Sequence, residues 1–272
     1  MLTLPKSKDI QILKGYVSTF FICCTISNLS MINALANQTN MIQINYTGDS
    51  RLSILTGDSI AATLERASGT NPVPDNAKRL SFVIVNNNNL PVIAMTIRWT
   101  WTDANGRPRT HDQRSDSLFL TSSPVLNSYQ QLVVLPGAFA TDAPSGLGIQ
   151  GLPLQDTMNQ FKGGSSIIAT IDSVLFSNGS VIGLDKSMMI KSLSIRRTIA
   201  SELVGAIENA ARLGKGANEA SESYGRSFAG MGDIEEQRWR ARLVQLVKNR
   251  KTGVQQLLNT LKNLPAIPTE SH

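Results

Sequence analysis

A chain of 272 residues, 41% of them apolar, is long enough to bury a hydrophobic core of its own. Its formal net charge is +6, unevenly spread: residues 1–36 carry a net +2, residues 37–185 a net −2 and residues 186–272 a net +6. That distribution excludes the middle of the chain as a polyanion binder by charge, and no nucleic-acid partner is expected.

Lys6, Lys8 and Lys14 form a basic region ahead of an apolar run from Val17 to Ile26, and Ala34-Leu35-Ala36 supplies small residues for cleavage before Asn37. Residues 1–36 therefore read as a signal peptide, which makes the mature protein secreted or periplasmic. The run is shorter than the roughly 20 residues of a comfortable membrane span; an uncleaved anchor is the alternative. Both cysteines, Cys23 and Cys24, lie inside this segment. Cleavage would leave no thiol for disulfides, nucleophilic catalysis or metal binding.

Residues 37–185 read as one β-sandwich. Strand-like runs recur at Met41–Tyr46, Leu52–Leu55, Leu80–Val85, Val92–Thr102, Ser117–Leu120, Gln131–Leu135, Ser166–Phe176 and Ser180–Ile182, with turn signals between them. In Val92–Thr102, apolar Ile93, Met95, Ile97, Trp99 and Trp101 alternate with Ala94, Thr96, Arg98 and Thr100. Side chains change face at every residue of a strand, so this predicts an apolar inner face and a polar outer one. Four asparagines, Asn86 to Asn89, followed by Leu90 and Pro91, end the preceding strand. Without a two-residue turn signal, an arch to a facing sheet is expected in preference to a hairpin. Asp103-Ala104-Asn105-Gly106 predicts a hairpin whose return strand includes Arg107 to His111, and Asn178-Gly179 predicts another. Residues 136–153, rich in Ala, Pro and Gly, are expected to form a long irregular loop.

Near Lys186 the period lengthens to that of a helix. Ile195, Ile199, Leu203 and Ile207 mark a helix over residues 186–213, closed by Gly214. Residues 214–233 read as a flexible linker, with room for a helical turn at Asn218–Ser223. Residues 234–272 read as a basic amphipathic helix and tail, its stripe running through Trp239, Leu243, Leu246, Val247, Val254, Leu257, Leu258 and Leu261. Gly253 is a candidate interruption.

The fold class expected is thus mainly β, an antiparallel sandwich followed by a C-terminal α-helical extension. The segments "FVIVNNNN", "IRWTWTDANG", "LVVLPG" and "IDSVLFSNGSVIG" resemble the immunoglobulin-like or fibronectin type III-like sandwiches of secreted bacterial proteins. The resemblance implies a binding scaffold and supplies no site residue.

Catalytic chemistry finds few groups to work with. His111 lies near Asp112 and Asp116, but a transition-metal site wants three or four converging ligands, and solvated polar side chains are the expected reading. His272 is terminal. Gly225-Arg226-Ser227-Phe228-Ala229 imitates a nucleophile elbow without the strand, acid and histidine that motif requires. Gly214-Lys215-Gly216 lacks the remaining glycine and hydroxyl of a phosphate loop. No enzyme, cofactor or metal is expected.

Two sets of residues remain as binding candidates. On the last helix, Trp239, Arg242, Leu243, Leu246 and Arg250 could dock a protein partner or cell-envelope component, or lay the helix on a membrane surface. On the sheet, Trp99 and Trp101 could stack on sugar rings if their face were open, although their apolar neighbours favour a core position. The function expected is that of an exported non-enzymatic binding or structural protein, with a carbohydrate-binding module as the alternative.

Overall fold

A computed structural model describes residues 42–60, 62–64, 78–118, 123–141, 150–151, 159–250, 254–265 and 267–268. The expected signal peptide, both cysteines and His272 lie outside the described residues. Among the described residues ten strands form two sheets, and four α-helices follow them.

Sheet A joins β1 (Gln43–Asn45), β9 (Ser165–Phe176), β4 (Val92–Thr102) and β5 (Pro108–Asp116) in that order, with β10 (Val181–Gly183) also on β9. Sheet B runs β2 (Leu52–Leu55), β3 (Phe82–Asn86), β6 (Gln131–Leu135), β7 (Ala138–Thr141) and β8 (Gln150–Gly151). Strand β1 lies parallel to β9, which makes sheet A mixed, a correction to the expected all-antiparallel arrangement; sheet B is antiparallel.

The asparagine run carries the chain from β3 in sheet B to β4 in sheet A, the arch expected from the missing turn signal. Asn86 itself belongs to β3 and is fully buried. Its Nδ2 donates to the Leu90 and Asn127 carbonyls at 2.9 and 3.1 Å, and its Oδ1 accepts the Asn88 N–H at 3.0 Å. The first asparagine therefore staples the arch from within, while Asn87 and Asn89 are exposed.

Three other expectations fail for local reasons. Pro136-Gly137 makes a tight reversal that pairs β7 back onto β6, so residues 138–141 and 150–151 are strands where an irregular loop was predicted. Of the predicted strand Ser117–Leu120, the described Ser117 and Leu118 form no strand, although the Ser117 N–H still donates to the Ile93 carbonyl at 2.9 Å; residues 119 and 120 lie outside the described residues. The predicted linker contains a helix, Ala217–Ser227, whose Ala220, Ser221 and Tyr224 are buried. Its small residues permit close packing against neighbouring helices, which composition alone had read as flexibility.

Phe82, Ile84, Leu132 and Val134 of sheet B share an apolar core with Met95, Ile97, Trp99, Trp101, Ala169, Ile171, Val174 and Phe176 of sheet A. Sheet A is covered on its other side too. Ile93, Ala94, Leu118 and Leu175 pack with the helices, and Thr96 is fully buried, so the outer face expected to be solvated is a second interface over its first half. The register of β4 against β9 shifts at three places, and two of these adapt the strands to both cores. Ile93 is the extra residue where Val92 and Ala94 pair with consecutive Phe176 and Leu175, and Asp172 is the extra residue between Ile171 and Ser173 opposite Ile97 and Thr96. A bulge reverses which face the later side chains take. In β9 it lets Ile171 and Val174 both reach the inner core and turns the buried Asp172 toward the helix junction.

The helices are α1 (Met189–Arg212), α2 (Ala217–Ser227), α3 (Ile234–Asn249) and α4 (Val254–Lys262). The predicted final helix is thus two, separated within the interval that contains Gly253. Asp185 starts α1: its carboxyl accepts the Met189 and Ile190 N–H groups at 2.8 and 2.9 Å, satisfying donors that a helix N-terminus leaves free. Leu193, Ile199, Leu203 and Ile207 of α1 meet Leu243 and Val247 of α3 and Leu257, Leu258 and Leu261 of α4 in one core. No described helix is long and apolar enough to cross a membrane.

Candidate functional site

The helix layer is fastened to sheet A by polar groups that the strands and α1 bring together. Asp172 accepts the backbone N–H groups of Lys186 and Ser187 at 3.0 and 2.7 Å. Arg98 forks onto Asp112 at 2.8 and 3.0 Å, and the two bonds hold the Asp112 carboxyl below the usual carboxylate range. Arg114 donates to the Ser187 carbonyl. Arg196 on α1 reaches back to Asp116 on β5 at 2.9 Å. The contacts of Asp172, Arg114 and Arg196 fix the helices to the sheet, while the Arg98–Asp112 fork joins β4 to β5 within it.

His111, Asp112 and Asp116 therefore do not converge. Strand parity puts His111 on the side of buried Gln113, while Asp112 and Asp116 are taken by arginines on the other side. Among the described residues no group of three metal-ligating side chains occurs. Ser227 is the last residue of α2, exposed, and donates to the Ser223 carbonyl at 2.9 Å; a helix end has none of the geometry of a nucleophile elbow.

Trp99 is fully buried and Trp101 nearly so, and both pack on Phe161, with ring centroids 5.7 and 4.6 Å away. Trp99 Nε1 donates to Gln113 Oε1 at 2.8 Å. The indole faces that a sugar would need are covered, which is the core position their apolar neighbours favoured over the alternative of an open platform.

On α3 the proposed binding residues divide. Leu243 is buried and Leu246 half-buried in the helix core, so the apolar stripe faces inward and its sequence pattern reports packing within the chain. Trp239 is half-buried between two guanidinium groups: Arg196 Cζ lies 4.1 Å from its ring centre and Arg242 Cζ 4.8 Å. Arg242 and Arg250 are exposed. A second cluster is internal. Tyr224 donates to Glu202 at 2.8 Å, and Arg240 bridges Glu202 and Glu236 at 3.7 and 3.3 Å while lying over the Phe228 ring. Burial, with Glu202 adding to it, pushes the Tyr224 phenol far above its ordinary value, so this network is a neutral phenol bound into a charged pair.

Between α1, α2 and α4 runs an open groove of about 600 Å³, which no sequence reading anticipated because its walls come from three separated helices. Ile207, Ala211, Ala217, Val254 and Leu258 give it an apolar floor, with Glu208, Arg212 and Gln255 also lining it. The small side chains of Ala211 and Ala217 leave the space. Comparison with protein-family models, with curated proteins and with solved structures finds no match.

Proposed function

We propose that this chain is an exported, non-enzymatic binding or structural protein of the cell envelope or extracellular space, recognising a protein partner through its C-terminal helices. The single observation that carries the reading is the groove between α1, α2 and α4, whose apolar floor and volume suit one or two inserted side chains of a partner segment. The acids that could serve catalysis are engaged in fastening: Asp112 and Asp116 by arginines, Asp172 and Asp185 by backbone N–H groups. Export is supported by the basic, apolar and small-residue succession of residues 1–36. We read the two sheets as a variant of the immunoglobulin-like or fibronectin type III-like sandwich, used as a rigid support for the helix layer.

Deleting the helices would be a poor test, because it would uncover Ile93, Ala94 and Leu175 on sheet A. Ala211→Trp, at an exposed position, fills the groove instead. Capture of an envelope partner should be lost with this variant while its thermal melt is unchanged. Equal capture by wild type and variant would move recognition away from the groove.

A further inference from the structure

The outward stripe of α3 differs from the inward one in a way the sequence did not disclose. Ile234, Arg238, Ala241, Arg242 and Gln245 follow one another at helical spacing and all are exposed. Ile234 is 69% exposed, and Met231, just before the helix, 58%. The acids of the first turn are already engaged, Glu235 by Ser192 and Arg196 and Glu236 by Arg240. Among the described residues no acid pairs with Arg238 or Arg242.

Arg242 is nevertheless held in place. Its guanidinium lies over Trp239, whose other neighbour, Arg196, is anchored to Asp116. Stacking on a ring leaves the N–H donors of a guanidinium unused, and their fork matches phosphate oxygens. A stacked, unneutralised Arg242 with Arg238 one turn before it calls for an anion, and exposed isoleucine and methionine beside them call for an apolar layer. An acidic protein face or a free polyanion meets the first demand only. Phospholipid at an anionic bilayer surface meets both, with the arginines at the phosphates and the apolar side chains at the acyl boundary.

We propose that the outer face of α3, through Ile234, Arg238 and Arg242 with Met231 beside them, docks on anionic phospholipid surfaces. This face shares no residue with the α1–α2–α4 groove, so the two proposals stand or fall separately.

The test uses the full chain and vesicles of phosphatidylglycerol mixed with phosphatidylcholine, against phosphatidylcholine alone. Sedimentation should require the anionic lipid and weaken at least about tenfold in Arg238→Glu/Arg242→Glu, each charge near an anionic surface mattering on that scale. Trp99 and Trp101 are buried, so lipids brominated on their chains should quench Trp239 alone, and Trp239→Phe should abolish the quenching. The proposal is overturned if the chain does not sediment with anionic vesicles at low salt. It is equally overturned if the double variant lowers neither binding nor bromine quenching, as when residues outside α3 hold the vesicle. Binding to polyglutamate without binding to vesicles would give the patch to an acidic protein.

Discussion

The carboxyl of Asp172 accepts the backbone N–H of Ser187 at 2.7 Å, so the extra residue of a bulged strand holds the turn that launches α1. Removing that acceptor leaves two N–H groups, those of Lys186 and Ser187, to find another partner, Ser187 being buried. Asp172→Ala should cost about 2–4 kcal/mol in denaturant unfolding, and Asp172→Asn, which keeps one acceptor oxygen, distinctly less. Gly183→Ala should disturb the same junction from the other side. Gly183 has φ +99°, and a Cβ there would collide with the Asp172 backbone carbonyl.

Gln113 joins the two sheets. Its Oε1 accepts from Trp99 Nε1 and from the Gly137 N–H, and its Nε2 donates to the Ala138 carbonyl, each at 2.8 Å. Replacing it with Leu keeps the volume and strands three buried or half-buried polar groups. A loss of about 3 kcal/mol or more is expected, measured by urea unfolding monitored through the buried tryptophans.

Within the asparagine run, substitution should separate the positions sharply. Asn86→Ala removes three hydrogen bonds from a buried site and should cost about 2–3 kcal/mol. Asn89→Ala, at an exposed site whose side chain makes no bond among the described residues, should stay within about 0.5 kcal/mol. Thermal melts of the two single variants decide the matter.

Acid should reach the Arg98–Asp112 pair late, at lower pH than an unpaired carboxylate. The Asp112 carboxyl is depressed, first by its hydrogen bonds to Arg98, so its contribution to stability is present above the unfolded carboxylate value. That contribution is lost as pH falls through the lower folded value. Arg98→Met removes the partner. In an NMR titration the Asp112 carboxyl of this variant should move up toward the ordinary range, and the acid unfolding midpoint should shift to higher pH.

Strands were readable where one physical signal dominated. The ranges Leu52–Leu55, Val92–Thr102 and Gln131–Leu135 coincide with β2, β4 and β6, because alternation and bounding turn residues leave little choice. The bulges at Ile93 and Asp172 were not readable, since an inserted residue shows only against its partner strand. Nothing in the sequence singled out Gln113, and only the facing turn at Gly137 explains its burial. The helix at Ala217–Ser227 hid behind small residues whose packing partners lie on α1 and α3. The stripe of α3 was visible, but whether such a stripe meets its own chain or another is decided by topology. Trp239 was found for its apolar character, whereas its use as a shelf for Arg196 and Arg242 depends on α1.

The parallel pairing of β1 with β9 also bears on the order in which the protein can assemble. Gln43–Asn45 has its partner at Ile168–Thr170, so the edge of sheet A stays open until nearly two thirds of the chain has been made. Strands β2, β3, β6 and β7 need nothing beyond Thr141 to pair with one another. During vectorial synthesis, sheet B can close first and the β4–β5 hairpin can form. The arrival of β9 then supplies both the centre of sheet A and the ledge on which the helices settle. Such long-range closure is slow, and a nascent chain halted before residue 165 would carry half a sandwich with its core exposed.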